Sequence, residues 1–170
     1  MKQIYFAGGC FWGTEHFMKQ INGVTNTQVG YANGNVENPT YKMVCTNTTG
    51  FAETVMVEYD ERQVDLRFLI SLFFQMIDPT SLNKQGEDEG TQYRTGVYFV
   101  DDNDEKTVRS AIAELSKGYA APVVVEIEKL RNFYEAEDYH QDYLDKNPDG
   151  YCHVSKALFD RARKAKKTSL

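Results

Sequence analysis

This sequence is short of the features that mark secreted, membrane or nucleic-acid-binding proteins. Its three cysteines, at positions 10, 45 and 152, are too few and odd in number for a disulfide framework. No paired CxxC or HxxxH spacing accompanies them, so a zinc site is not expected, even from His140, Cys152 and His153 together. No apolar run approaches the ~20 residues of a transmembrane helix. Positive charge is also scarce: 19 Lys and Arg against 25 Asp and Glu leave a net charge of −6, which argues against a nucleic-acid partner. The exception is the tail, where Arg161, Arg163, Lys164, Lys166 and Lys167 cluster. They read as a frayed, solvated helix end whose charges suit the C-terminal dipole. The opening segment is apolar only briefly, lacks an Ala-x-Ala site and runs at once into Glu15, His16 and Lys19, unlike a signal peptide. A cytoplasmic protein is expected.

With no repeat, no linker and no low-complexity stretch, the 170 residues read as one domain, 1–170, and nothing calls for an obligate oligomer, so a monomer is expected. Residues 2–7 have strand character, 11–21 helical, and 24–31 strand character again, with Gly23 as the break between the last two. Residues 32–50, rich in Asn, Gly and Thr, form a long excursion before the alternating strand at 53–59. Leu66, Leu69, Ile70, Phe73, Phe74 and Ile77 make an apolar helical stripe that Asp78-Pro79 ends. A second long loop covers 81–92. A strand is expected at 94–100, a helix from a capping box of Asp102 and Glu105 to Leu115, and a strand at 123–127. Helices are expected at 134–145 and from Ser155. The order β-α-β-β-α-β predicts an α+β fold: a two-layer, ferredoxin-like split βαβ plait with a mixed sheet, helices on one face, long functional loops and extra C-terminal helices.

Chemistry concentrates at Gly8-Gly9-Cys10-Phe11-Trp12-Gly13, a strand-to-helix junction. There the unpaired N–H groups of the first helical turn lower a thiol pKa, and flanking glycines keep the sulfur accessible. Phe11 and Trp12 add two apolar faces, which suits chemistry on a small apolar group. The competing reading is a structural cysteine in an aromatic core; the surrounding glycines, useless to a core, argue against it.

The two long loops and the C-terminal region carry further dense segments: Gly30-Tyr31, Asn38-Pro39-Thr40-Tyr41, Gly50-Phe51-Ala52-Glu53, Asp78-Pro79-Thr80, Gln85-Gly86-Glu87-Asp88, Gly90-Thr91-Gln92-Tyr93-Arg94, Ala136-Glu137-Asp138-Tyr139-His140-Gln141 and Gly150-Tyr151-Cys152-His153. In number and order they resemble the A-type peptide methionine sulfoxide reductases, which reduce the S epimer of methionine sulfoxide, and the resemblance runs from the first strand to Cys152. It implies an enzyme without metal or organic cofactor that acts on free or protein-bound methionine sulfoxide. Cys10 becomes the nucleophile that ends as a sulfenic acid. Glu53 becomes the acid, kept neutral by aromatic burial. Tyr31 and Tyr93 become O–H donors to the sulfoxide oxygen, Asp88 a holder of substrate or water, and Phe11 with Trp12 the enclosure of the S-methyl. Cys152, in a Gly-containing segment, becomes the resolving thiol of a Cys10–Cys152 disulfide that thioredoxin or another dithiol reduces. Cys45, after Met43 and Val44, is expected to be inert.

Without the resemblance several of these residues read more plainly. Glu53 is then an exposed acid at a strand start, Tyr31 and Tyr93 pack loops, Trp12 is core, and Asp88 belongs to a solvated acidic cluster. His140 and His153 are structural hydrogen-bonders. The chain departs from the family pattern in three places: Phe51 stands where His is usual, Glu87 where Asn is common, and Asn33 where Gly is common. Phe51 is expected to dry the surroundings of Glu53. Two other functions compete: a cysteine hydrolase with Cys10 as nucleophile and His140 or His153 as base, and a non-enzymatic binder of oxidised peptides.

Overall fold

A computed structural model describes residues 1–166; Lys167, the last cation of the basic tail, lies outside them. Among the described residues eight strands form in chain order: β1 (Lys2–Gly8), β2 (Val24–Ala32), β3 (Ala52–Tyr59), β4 (Lys84–Gln85), β5 (Asp88–Glu89), β6 (Thr95–Phe99), β7 (Glu126–Lys129) and β8 (Phe133–Glu135). The helices are α1 (Phe11–Lys19), α2 (Tyr41–Val44), α3 (Leu66–Met76), α4 (Asp104–Ser116), α5 (Tyr143–Lys146) and α6 (Lys156–Lys164). Six strands make one sheet in the order β7-β6-β1-β3-β2-β8, while β4 and β5 pair as a small hairpin. Every pair in the large sheet is antiparallel except β6 with β7.

The period-2 alternation of strands divides the apolar residues between the two faces. Ile4 and Phe6 of β1 join Val55, Val57 and Tyr59 of β3 in the main core, with the apolar faces of α1, α3, α4 and α6 packed on them. On the opposite face Tyr5, Ala7, Met56 and Tyr98 form a smaller cluster with Leu130 and Phe133, and the Tyr5 and Phe133 rings meet edge to face at 4.9 Å. The α3 stripe starts where Asp65 accepts the Phe68 N–H and stops at Ile77, whose extended backbone precedes Asp78-Pro79.

Three local expectations are corrected. Residues 134–145 are not one helix: Phe133–Glu135 pairs with the free edge of β2, with Tyr134 opposite Tyr31. The Gln141 side chain extends that edge, accepting from the Val29 N–H and donating to the Val29 carbonyl, each at 2.9 Å. Unfilled strand hydrogen bonds outweigh local helix propensity here. The capping box of Asp102 and Glu105 does not form, because Asn103 holds the cap position and its N–H bonds to Asp101 Oδ1 at 2.9 Å. The strand expected at 123–127 sits at Glu126–Lys129, since the Val124 N–H turns to the Pro79 carbonyl.

Asn33 explains its own departure from the family pattern. Its φ is +56°, a left-handed conformation that asparagine tolerates. Its side chain then accepts from the Arg131 N–H at 2.7 Å, tying the loop before β8 to the end of β2.

Candidate active site

β1 ends against α3: a Cβ on Gly8 would lie 2.9 Å from both Met76 Cε and Phe73 Cε1. Gly9 follows at φ +85°, and a Cβ there would meet Gln85 Cβ at 2.8 Å, so only glycine makes this turn. Cys10 is thereby placed at the N-cap of α1 without acting as a side-chain cap. The Thr14 hydroxyl fastens the turn to the Gly8 carbonyl at 3.1 Å, with the Cys10 carbonyl at 3.2 Å.

The electrostatics of Cys10 differ from the expectation of a resting thiolate. The thiol is 7% exposed, and burial pushes it well above its usual pKa. The Glu53 carboxyl pushes the same way, with Asp88 and Cys152 adding to it, while the Trp12 N–H of the first helical turn pulls it down. Helix-terminus stabilisation, significant at a wet surface, is smaller than the cost of dehydrating a thiolate. Cys10 is a neutral thiol at rest near pH 7.

Glu53 is buried, not exposed, because it points from β3 toward the helix-covered face. Its Oε1 accepts the Phe11 N–H at 3.2 Å. Its Oε2 is buried without a partner among the described residues. Burial raises the Glu53 pKa to about 8, opposed by the Phe11 hydrogen bond and assisted by Asp88. At neutral pH it is therefore a carboxylic acid, and since Oε1 accepts, the proton belongs on Oε2.

Tyr93, in a 3-10 turn at Thr91–Tyr93, places its hydroxyl within electrostatic reach of Glu53, Asp88 and Cys10. Its partner is Tyr41, whose hydroxyl interacts with that of Tyr93 and also feels Glu53. Tyr31 is not in this donor set: its hydroxyl donates to Glu137 Oε1 at 2.7 Å, and Glu137 Oε2 accepts the Tyr41 N–H at 3.1 Å. The expected donor Tyr31 thus has its hydroxyl committed to Glu137, although it too lies within electrostatic reach of Glu53, and Tyr41, which sequence reasoning did not name, is the tyrosine paired with Tyr93. The missed signal was Thr40, whose hydroxyl accepts the Met43 N–H as the N-cap of α2 and so aims the first residue of that short helix.

Phe11 is buried and Trp12 half-buried. The Trp12 indole Nε1–H donates to His140 Nδ1 at 2.9 Å, and its rings stack on Tyr143 at 3.7 Å. His140 packs against Phe11 and Tyr41 at 5.1 and 4.6 Å. His153 Nε2 bonds to the Gly8 carbonyl. Both histidines are thus held by other groups, which leaves the hydrolase reading without a base on Cys10. Among the described residues no three His, Cys, Asp or Glu side chains gather in a way that could hold a metal.

Cys152 is half-buried against α1, where a Cβ on Gly13 would lie 2.9 Å from its Sγ. The residue before it is tethered too: the Tyr151 hydroxyl donates to Asp88 Oδ2 at 3.0 Å. Cys45 is exposed at the C-cap of α2, not enclosed in an apolar stretch, and its thiol interacts with Tyr41 and Gln92. Phe51 is buried over Gly34, two residues before Glu53 along the chain. Glu87 is exposed at the β4–β5 turn, and nothing in the structure explains its replacement of Asn.

Comparison with known proteins matches the family model described as peptide methionine sulfoxide reductase over residues 2–169. The peptide methionine sulfoxide reductase MsrA of Clostridium acetobutylicum is 56% identical over 161 residues, 95% of this chain and 99% of that protein. The MsrA of Mycoplasma pneumoniae is 55% identical over 154 residues, 91% of this chain and 98% of that protein. Among solved structures, Mxr1 from Saccharomyces cerevisiae in reduced form superposes with a TM-score of 0.86 at 41% identity, covering 91% of each chain. Mxr1 in complex with Trx2 matches at a TM-score of 0.60 and 29% identity, covering 84% of each.

Proposed function

Since the chain belongs to the peptide methionine sulfoxide reductase family and reduces methionine sulfoxide, we propose how its own residues perform that reaction, with the S epimer, free or in proteins, as substrate. The observation that carries the reading is Glu53: a buried, neutral carboxyl within electrostatic reach of Cys10, with one oxygen unpartnered among the described residues. A sulfoxide oxygen leaves only if it is protonated or strongly hydrogen-bonded. Glu53 Oε2–H supplies that proton, and the Tyr41 and Tyr93 hydroxyls brace the oxygen. Asp88, beside them, holds the substrate or a water. Phe11 and Trp12 enclose the S-methyl group.

Polarised in this way, the substrate sulfur is attacked by the Cys10 sulfur, whose proton replaces the one Glu53 has given to the sulfoxide oxygen. The substrate S–O bond then breaks and the hydroxyl joins the Cys10 sulfur as the electron pair of the transient S–S contact returns to the substrate sulfur, giving Cys10–S–OH and methionine. Cys152–SH then attacks the Cys10 sulfur: the S–O bond breaks, an S–S bond forms and water leaves. Thioredoxin, or another dithiol, reduces the disulfide by exchange; the Trx2 complex of the yeast relative supports that partner. No metal or organic cofactor enters.

We read the fold as a ferredoxin-like split βαβ plait, because β6-β1-β3-β2 lie side by side with β1 and β2 each antiparallel to the β3 between them. We also place the chain as a single, monomeric reductase domain of the cytoplasm; among the described residues no helix is long and apolar enough to cross a membrane. Incubation with methionine sulfoxide and dithiothreitol tests the function. Cys10→Ser is expected to release no methionine, and Cys152→Ser to release about one per chain and then stall on thioredoxin. Sustained thioredoxin-driven turnover by Cys152→Ser would reject its resolving role. A hydrolase would need no reductant, and a passive binder would keep its biological effect in Cys10→Ser.

A further inference from the structure

We propose that His153 is a positioning residue for disulfide formation: its Nε2 bond to the Gly8 carbonyl seats the Cys152 turn on the strand-to-helix junction that carries Cys10. This rests on Cys152 being the resolving thiol. The bond is 3.0 Å long and joins residues 145 apart in sequence. Gly8 offers only a carbonyl there, so Nε2 carries the proton and donates it. The remaining nitrogen, Nδ1, is buried without a partner among the described residues. Burying a bare acceptor is costly, and an apolar ring would fill the same space without that cost. What the histidine supplies at this position, and an apolar ring would not, is the donor to Gly8.

The surface under His153 is shaped to receive it. A Cβ on Gly9 would lie 3.2 Å from His153 Nε2, and one on Gly86 3.2 Å from His153 Cβ. A Cβ on Gly13 would lie 3.3 Å from His153 Cε1 and 2.9 Å from Cys152 Sγ. Three glycines, from the β1–α1 turn, α1 and the β4–β5 turn, thus form one seat for residues 152–153. Gly9 and Gly86 have positive φ and would be glycine on backbone grounds alone; Gly13 sits inside a helix, where only the seat accounts for it.

The seated turn also prepares the sulfur. Burial pushes the Cys152 thiol up, and with the backbone fixed at His153 the Val154 N–H, donating to Cys152 Sγ at 3.3 Å, opposes that rise and holds the sulfur in place. The Cys152 thiol attacks Cys10–S–OH; its S–H proton passes to the departing hydroxyl, the S–S bond forms as the S–O bond breaks, and water leaves. On the other side of Cys152 the Tyr151–Asp88 contact is made by an exposed side chain, so His153 is the interior anchor.

Rapid quenching after mixing reduced protein with one equivalent of methionine sulfoxide separates the steps. Methionine release, dimedone-trapped sulfenic acid and disulfide are measured in the same samples. In His153→Ala, methionine release is expected at the wild-type rate, because Thr14 still fastens the Cys10 turn. Disulfide formation is expected to slow about tenfold, the factor of one ordinary hydrogen bond, and sulfenic acid accumulates. His153→Gln carries its amide nitrogen to the Nε2 position and restores the rate to within about threefold. His153→Asn, whose nitrogen stops short at the Nδ1 position, does not. Disulfide formation at the wild-type rate in His153→Ala, or equal slowing in Gln and Asn, overturns the assignment. Failure of the wild-type protein to release methionine or to join Cys10 to Cys152 instead overturns the mechanism beneath it.

Discussion

The Phe11 N–H donates to Glu53 Oε1 across 3.2 Å, joining the first turn of α1 to the start of β3 and leaving Glu53 Oε2 alone in the site. One backbone hydrogen bond thus decides which carboxyl oxygen carries the proton. The donor of that bond is the residue next to Cys10 in the chain. The acid and the thiol meet at the same helix end, and burial keeps both neutral at rest, with the Glu53 carboxyl adding to the rise at Cys10 and Asp88 to the rise at Glu53.

Glu53→Gln keeps the shape and removes the transferable proton. Single-turnover methionine release is expected to fall by about 10²-fold or more, the usual range of general acid catalysis, with little change in substrate affinity. An unchanged single-turnover rate would remove Glu53 from the acid role.

The raised Glu53 pKa of about 8 has a stability consequence. Between the ordinary carboxyl range near pH 4–5 and about pH 8, the native state holds a proton that the unfolded chain has lost. Stability from this group therefore falls as pH rises through that window. Urea midpoints of the wild type minus those of Glu53→Gln should decline from pH 5 to pH 8. A flat difference means that Glu53 is ionised in the native state.

Phe51 is buried two positions before Glu53. Replacing it by His brings in a polar ring, lets the carboxyl lose its proton more readily and moves the basic limb of the pH–rate profile downward from about 8. A limb that stays in place shows that Phe51 does not dry the acid.

Tyr41→Phe and Tyr31→Phe should fail in different ways. The first removes a hydroxyl next to Tyr93 and Glu53, and the methionine-release rate is expected to drop about tenfold, the usual size of a lost donor. The second strands Glu137 and is expected to cost about 1–3 kcal/mol of stability while the first step stays within about threefold of wild type. Equal losses of first-step rate would return Tyr31 to the donor set.

Gly13→Ala raises helix propensity, so a simple helix effect would stabilise the protein by about 1 kcal/mol. Its new Cβ instead meets Cys152 Sγ at 2.9 Å and Val154 Cγ2 at 3.1 Å. Thioredoxin-dependent turnover should therefore fall while the first methionine is released normally. Unaltered turnover would mean that Cys152 reacts from another seat.

Period and punctuation alone determined β1, β2, β3, α3 and the strand-to-helix turn at Cys10, because short-range sterics and one-sided burial leave few options for such segments. The glycines around Cys10 belong to the same level: a φ of +85° at Gly9 is a local demand that a sequence can display. Residues 133–145 were not legible, since their structure comes from the unpaired edge of β2, a partner about a hundred residues away. The charge states were not legible either. Whether Cys10 and Glu53 are ionised depends on how much water the fold removes from them, and helix position told only the smaller part of that balance. The difference between Tyr31 and Tyr41 was likewise tertiary: one ends β2 and the other begins α2, and only the arrival of Glu137 from the far end of the chain takes the Tyr31 hydroxyl while leaving that of Tyr41 to Tyr93.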